Sequence, residues 1–223
     1  LLLMSKLVVL KLSGHLINHE EVIKKTLHEL RPLSKLVKFV VIPGGSVFAD
    51  LVRELQKKLG FNDDVAHWLA IKAMEVYGTY IKSLDDLGIT VEVDNLIEVY
   101  DAVSKGNIPI LMPYKILRAF NELPHSWDVT SDSIAIYIAE LLRACMVILA
   151  KPVDGILDKQ GNLIKKITRA DLQQLSTDVI DPYTIELLRK VEIPLIIYNM
   201  FKPYLLRSIV NEESGDYTLI NPS

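Results

Sequence analysis

Cysteine is almost missing from this chain of 223 residues: Cys145 stands alone. No internal disulfide can form, and its apolar setting predicts a packed, buried thiol in a reducing compartment rather than a nucleophile. No apolar run approaches the roughly 20 residues that a membrane span needs. Leu1 to Met4 is too short for the apolar core of a signal peptide, so the expectation is a soluble, cytoplasmic protein with no membrane partner. Basic runs are equally scarce. Nothing longer than Lys57-Lys58 or Lys165-Lys166 occurs, and a formal net charge of -3 gives no general attraction to a polyanion, so nucleic acid is not an expected partner. Neither Gly-x-x-x-x-Gly-Lys-Ser/Thr nor Gly-x-Gly-x-x-Gly is present, which argues against a P-loop and against a dinucleotide fingerprint. His15 and His19 lie four apart after a glycine without a third ligand at metal-site spacing, so no metal held by the protein alone is expected.

What is present is an ordinary globular balance, with 50% apolar and 24% charged residues. Apolar runs alternate with helical patterns from end to end, which predicts an α/β protein with a mainly parallel sheet. The runs are Leu7 to Leu12, Lys38 to Ile42, Ile89 to Val93, Ile108 to Leu111, Cys145 to Leu149 and Pro194 to Tyr198. Helical spacing appears over Glu20 to Leu30, Val47 to Leu59, Asp64 to Tyr77, Ser131 to Arg143 and Tyr183 to Val191. Asp181-Pro182 reads as a cap and a first-turn proline. Leu157 to Ile167 reads as a surface hairpin or flap. No linker divides the chain, and any boundary between halves falls near residues 124 to 130.

Four segments could carry chemistry. Lys11 ends an otherwise apolar strand, where an ammonium needs either an anionic partner or a route to solvent. Pro43-Gly44-Gly45-Ser46 links a strand to a helix N-terminus, either as a tight turn or as a cradle of backbone N–H groups for an anion. Thr130-Ser131-Asp132-Ser133 opens a long apolar helix. Capping explains the hydroxyls, whereas Asp132 could serve the helix dipole or aim a carboxylate at lysines. Lys151-Pro152-Val153-Asp154-Gly155 follows another strand, as a plain turn or as a second lysine brought to the same sheet edge. Two lysines oriented by one carboxylate, with backbone donors nearby, would neutralise a phosphoryl group in transfer.

Taken in order, Lys11-Leu12-Ser13-Gly14, Gly44-Gly45, Ser131-Asp132-Ser133-Ile134-Ala135 and Lys151-Pro152-Val153-Asp154-Gly155-Ile156 resemble the motifs of the amino acid kinase superfamily over essentially the whole chain. The resemblance implies a three-layer αβα sandwich around a mainly parallel sheet. It implies one domain, 1-223, in which about 1-125 binds the acceptor and about 126-223 binds ATP with magnesium. It implies that Lys11 and Lys151 neutralise the phosphoryl group, that Asp132 orients them, and that Gly14, Gly44 and Gly45 donate backbone N–H groups. Asp154, Gly155 and Lys159 fall where the family builds its nucleotide pocket. The stretch from Leu123 to Asp132 is similar to an archaeal branch that includes the aminomethylfuranyl-methyl phosphate kinase of methanofuran synthesis. That likeness implies a phosphate monoester as the small-molecule acceptor and a diphosphate as product, with Gly44, Gly45, Ser46, His125, Trp127, Asp128 and Thr130 on the acceptor side. UMP phosphorylation is the alternative, as is a non-catalytic nucleotide sensor or storage protein on the same fold. By analogy a homo-oligomer is expected, a dimer or a trimer of dimers, with the Asp64 to Tyr77 helix as the candidate interface.

Overall fold

The computed structural model describes residues 6–175 and 177–222, so the reading of Leu1 to Met4 lies outside it. Strand β1 (Leu7–Leu12) is buried at every position, the mark of a strand covered on both faces. Its pleat sends Val8, Leu10 and Leu12 to one face, against Ile23, Leu27 and Leu30 of helix α1 (Glu20–Leu33). Leu7 and Val9 go to the other face, against Ile134, Ala135 and Ile138 of α6 (Ser131–Leu141). Each large side chain buried in this way contributes about 1.5–3 kcal/mol relative to exposure. The result is three layers, helices over and under one sheet.

Parallel partners flank β1, with β2 (Lys38–Pro43) on one side and β5 (Met146–Lys151) on the other. The remaining strands are β3 (Thr90–Val93), β4 (Ile108–Leu111), β6 (Lys166–Thr168), β7 (Leu195–Asn199) and β8 (Tyr217–Asn221). Among the described residues they form one eight-stranded sheet in the order β3-β4-β2-β1-β5-β7-β8-β6. Every pairing is parallel except β7 with β8. The carboxyl ends of β1, β2 and β5 therefore meet near the centre of one sheet edge. Helices α2 (Ser46–Leu59) and α3 (Asp63–Ser83) follow β2 and stand over that edge. The chain also carries α4 (Leu96–Ser104), α5 (Tyr114–Phe120), α7 (Arg169–Gln174), α8 (Pro182–Leu187) and α9 (Leu205–Val210).

All six expected strands and all five expected helices occur, with ends shifted by a few residues. Strands β6 and β8 and helices α4, α5, α7 and α9 were not foreseen. The expected hairpin is realised only at its base, where Leu157 bridges Leu163 in antiparallel fashion. Lys166 and Ile167 leave it to pair with Leu219 and Ile220 at the sheet edge. Cys145 corrects the expectation of a buried thiol, because it is exposed. Its backbone N–H is held by the Leu7 carbonyl at 2.8 Å, just before β5 begins, and the side chain is left at the amino end of the sheet, far from the lysine edge.

Candidate active site

Alternation along the strands decides where the two lysines point. Lys11 lies two residues beyond Val9 and so shares its face, towards α6, while Lys151 bears the same relation to Leu149 on the neighbouring strand. The first turn of α6 places Asp132 between them. Its Oδ1 stands 2.8 Å from the Lys11 ammonium, and its Oδ2 accepts a hydrogen bond from Lys151. The Lys11 contact is ionic but poorly aligned, so Oδ1 is a buried acceptor without a hydrogen-bond partner. The side chains of Lys11, Asp132 and Lys151 are 5%, 2% and 16% exposed, so this ion cluster is largely out of water. Burial works against the charged carboxylate, but Lys11 and then Lys151 outweigh it and hold Asp132 below the usual carboxylate range. Burial and the neighbouring Lys11 push Lys151 down, against the pull of Asp132. Within this cluster two ammonium groups share one carboxylate, and Asp181 adds a weaker pull on Lys151.

The glycines meet beside this floor. Gly44 N–H donates to the Leu12 carbonyl at 2.8 Å, and Ser46 Oγ donates to the Gly14 carbonyl at 3.0 Å. A methyl group on Gly14 would overlap the backbone nitrogen and Cα of Ser46, and one on Gly44 would sit 2.6 Å from the Gly14 nitrogen. Only glycine permits that approach. Ser46 itself adopts a left-handed φ of 57°, and its hydroxyl bond to Gly14 helps to hold it there. The N-termini of α2 and α6 both open on the site and add favourable dipole for an anion.

Helix α6 is fixed from below by a residue that the sequence revealed only as a local cap. Asp181 caps α8 by accepting from Thr184 N at 2.6 Å, and it also accepts from Thr130 N, Thr130 Oγ1, Ser133 N and Ser133 Oγ at 2.5 to 3.1 Å. Thr130 in turn caps α6 by accepting from Asp132 N at 3.3 Å. The carboxylate of Asp132 is thus aimed by backbone that Asp181 holds. The capping pair Asp181-Pro182 was the only sequence signal, and nothing in it points 50 residues upstream.

These groups line a cavity of about 580 Å³, whose walls include Lys11, Gly14, Gly45, Ser46, Asp132 and Lys151. Against this geometry the comparisons with known proteins are decisive. Residues 6–199 match the sequence profile of the amino acid kinase family. The chain belongs to that family. A [5-(aminomethyl)furan-3-yl]methyl phosphate kinase of Methanocaldococcus jannaschii is 36% identical over 82% of this chain and 83% of its own. A uridylate kinase of Hyperthermus butylicus is 24% identical over 93% of this chain and 96% of its own. In fold, the UMP kinase of Ureaplasma parvum superposes with a TM-score of 0.77, and the uridylate kinase of Archaeoglobus fulgidus with 0.74. Each is 17% identical and matched over 96% or more of both chains. The protein is a phosphotransferase, and no helix among its described residues is long and apolar enough to cross a membrane.

The amino acid kinase site brings only some of the expected acceptor residues to the cavity. Thr130 and Trp127 line it, Trp127 with its Nε1 donating to Gln56 Oε1 at 2.6 Å. Asp128 is exposed and not part of the lining. His125 also stands behind the wall, with Nδ1 2.6 Å from Asp64 Oδ1 and Nε2 2.8 Å from Asn121 Oδ1. The wall itself carries a histidine that the sequence reading missed. His67 is 7% exposed, and its ring stacks on His125 with centroids 4.2 Å apart. Burial, and then His125, lower its pKa to about 4, against a weak upward pull from Asp64. A base whose folded pKa lies below its unfolded one stabilises the fold fully above about pH 6.5 and less as pH falls towards 4, because the unfolded chain then binds the extra proton. His67→Gln should therefore show a smaller fall in Tm between pH 7 and pH 4.5 than the parent protein, and parallel Tm curves would remove His67 as the source.

On the other side of Lys151, Asp154 Oδ1 accepts from Lys202 Nζ at 2.6 Å and from Asn199 Nδ2 at 3.1 Å. Lys202, and then Asn199, hold its carboxyl low. Gly155 passes so close to β8 that a side chain would overlap Thr218 Oγ1, which accepts from Ile156 N at 2.9 Å and donates to the Ile164 carbonyl at 2.6 Å. Lys159 lies exposed at the flap tip, outside the cavity lining.

Proposed function

We propose that this kinase transfers the γ-phosphoryl group of ATP to a phosphate monoester and releases a diphosphate, with an aminomethylfuran-type compound as the favoured acceptor. The observation that carries the reading is Asp132 clamped between two buried lysines beside the Gly14 and Gly44 cradle. Two ammonium groups held by one carboxylate suit a group whose transition state spreads charge over oxygens. Lys11 and Lys151 neutralise that charge from opposite sides, Asp132 keeps both ammonium groups aimed, and the N–H groups of Gly14 and Gly45 orient the phosphates. The N–H of Gly44 is committed to the Leu12 carbonyl, so Gly44 serves by its lack of a side chain instead. Asp154, Gly155 and Lys159 contribute to the nucleotide side, and Ser46, Trp127 and Thr130 to the acceptor side. His125 acts through the ring of His67, and Asp128 at the rim.

Magnesium fits this donor set as a companion of the nucleotide. Among the described residues no group of three acids, histidines or cysteines could hold a metal, whereas magnesium is commonly bound through substrate phosphates with one or two carboxylates. Bound there, it would neutralise phosphate charge. About 1-125 forms the acceptor part and about 126-223 the ATP part of one domain. Exposed Val65, Leu69 and Val76 on α3 support a homo-oligomer through that helix.

Magnesium-dependent ADP release from ATP, measured over a panel of acceptors, tests the assignment. The panel holds [5-(aminomethyl)furan-3-yl]methyl phosphate, UMP, isopentenyl phosphate, aspartate and acetylglutamate. The expected result is turnover with the aminomethylfuran phosphate above all others. Turnover with UMP alone would establish the second reading, which the chain-wide match to the Hyperthermus butylicus uridylate kinase supports. Tight ATP binding with silence across the panel would favour a nucleotide sensor.

A further inference from the structure

The charges of the cavity are unevenly placed along its length. At its inner end Lys11 and Lys151 flank Asp132, whereas its outer wall carries Asp50 and Asp63 against the single charge of Arg53; Asp178 is a further acid in the lining. Arg53 is itself drawn over the Trp127 ring, 4.4 Å from its centroid. Helix α3 connects the two ends. The hydroxyl of Tyr77 donates to the Ser13 carbonyl at 3.0 Å, beside the floor, and Met74, Ala70 and His67 follow on the same face towards Asp63. At about 1.5 Å per residue, His67 lies roughly 15 Å along the helix axis from Tyr77.

His67 is more than nine-tenths buried and faces this outer space, and no hydrogen bond to either ring nitrogen is found among the described residues. A ring nitrogen that meets the cavity and has no protein partner is available to a ligand atom. The ring plane is also fixed in advance, because His125 lies against it at 17° and is pinned by Asp64 and Asn121. Kept neutral by burial, the imidazole offers one lone pair as an acceptor. Two lysines at the floor, two aspartates at the rim and a neutral acceptor between them match a zwitterion, and they match a nucleoside monophosphate with a neutral base poorly.

We propose that the outer half of the cavity recognises a cationic amine on the acceptor, with the His67 imidazole accepting a hydrogen bond from it and Asp50 and Asp63 supplying the opposite charge. This deepens, and rests on, the phosphate-monoester kinase reading of the same site. Calorimetric titration of the full chain without nucleotide tests it, using [5-(aminomethyl)furan-3-yl]methyl phosphate and the counterpart with hydroxymethyl in place of aminomethyl. The amine should bind at least tenfold more tightly. His67→Phe, which keeps the stack but loses the nitrogen, should remove most of that preference, and His67→Gln should retain part of it. Asp50→Asn and Asp63→Asn, both at exposed positions, should each weaken the amine compound several-fold more than the hydroxyl compound. Equal binding of the two compounds by the parent protein, absence of binding by both, or equal weakening of both in His67→Phe would overturn the proposal. Should His67→Phe not fold, an undiminished preference in both aspartate variants does the same. Failure of the kinase reading shows separately, as amine-selective binding without ADP release when ATP and magnesium are added.

Discussion

Asp132→Asn is expected to lower kcat by a factor of about 10³ or more, because two charge-neutralising donors lose their common anchor at once. The same change should reduce stability. Two ammonium groups, almost as buried as the carboxylate between them, would face each other without a counter-ion, and one of them would have to give up its proton. Lys11→Ala should be comparably slow yet near the parent protein in Tm, because Asp132 keeps Lys151 as a balanced partner. The pair of variants therefore separates catalysis from folding. Steady-state ADP release with the preferred acceptor, read beside thermal unfolding, makes the comparison. Near-normal turnover in Asp132→Asn would remove it from the transfer step. The depressed pKa of Asp132 adds a pH signature. Its stabilisation is fully present above the ordinary carboxylate pKa of about 3.9 and is lost as pH falls through the lower folded value, so the acid-induced loss should be blunted in the Asn variant.

Gly14→Ala is expected to be strongly damaging for a single-methyl change, costing about 3 kcal/mol and roughly 10 °C in Tm. The added carbon would meet backbone atoms of Ser46 rather than the end of a flexible side chain, so rotamer changes cannot relieve it. Relief requires moving the start of α2 away from the Lys11 edge, which opens the cradle and should abolish most turnover along with the stability. An unchanged Tm would mean that the two loops do not press together as described.

Where burial on both faces produces unbroken apolar runs, as in Leu7 to Leu12, the strands were legible in the sequence. Lys11 and Lys151 were legible for the same reason, since an ammonium at the end of such a run is conspicuous. Strands β6 and β8 were not, because Lys166–Thr168 is three residues long and Tyr217–Asn221 mixes polar with apolar positions. Their pairing is secured by the side chain of Thr218 reaching back to Ile156 and Ile164, a contact across more than fifty residues. Helix α4 did carry a readable signal in Asn95 followed by Glu98, and the structure uses it: Asn95 Oδ1 accepts from Glu98 N at 2.9 Å, and Asp94 N donates to the Glu98 side chain at 3.1 Å. His67 was hidden by its company. Between Ala66 and Ile71 it reads as part of an apolar helix face, and only the three-dimensional packing shows that this face turns towards the cavity. The acceptor-side reading of His125 and Asp128 came from the resemblance over Leu123 to Asp132, yet of these two and Trp127 only Trp127 lines the cavity.

The sheet order has a consequence for how the protein is made. Strand β1 is synthesised more than 130 residues before β5, which covers one of its edges. Until Met146–Lys151 arrives, six residues of the composition Leu-Val-Val-Leu-Lys-Leu present bare backbone donors and acceptors to any other nascent chain. The single charge in that segment is Lys11, so the residue assigned to phosphoryl transfer also interrupts an otherwise sticky edge during synthesis.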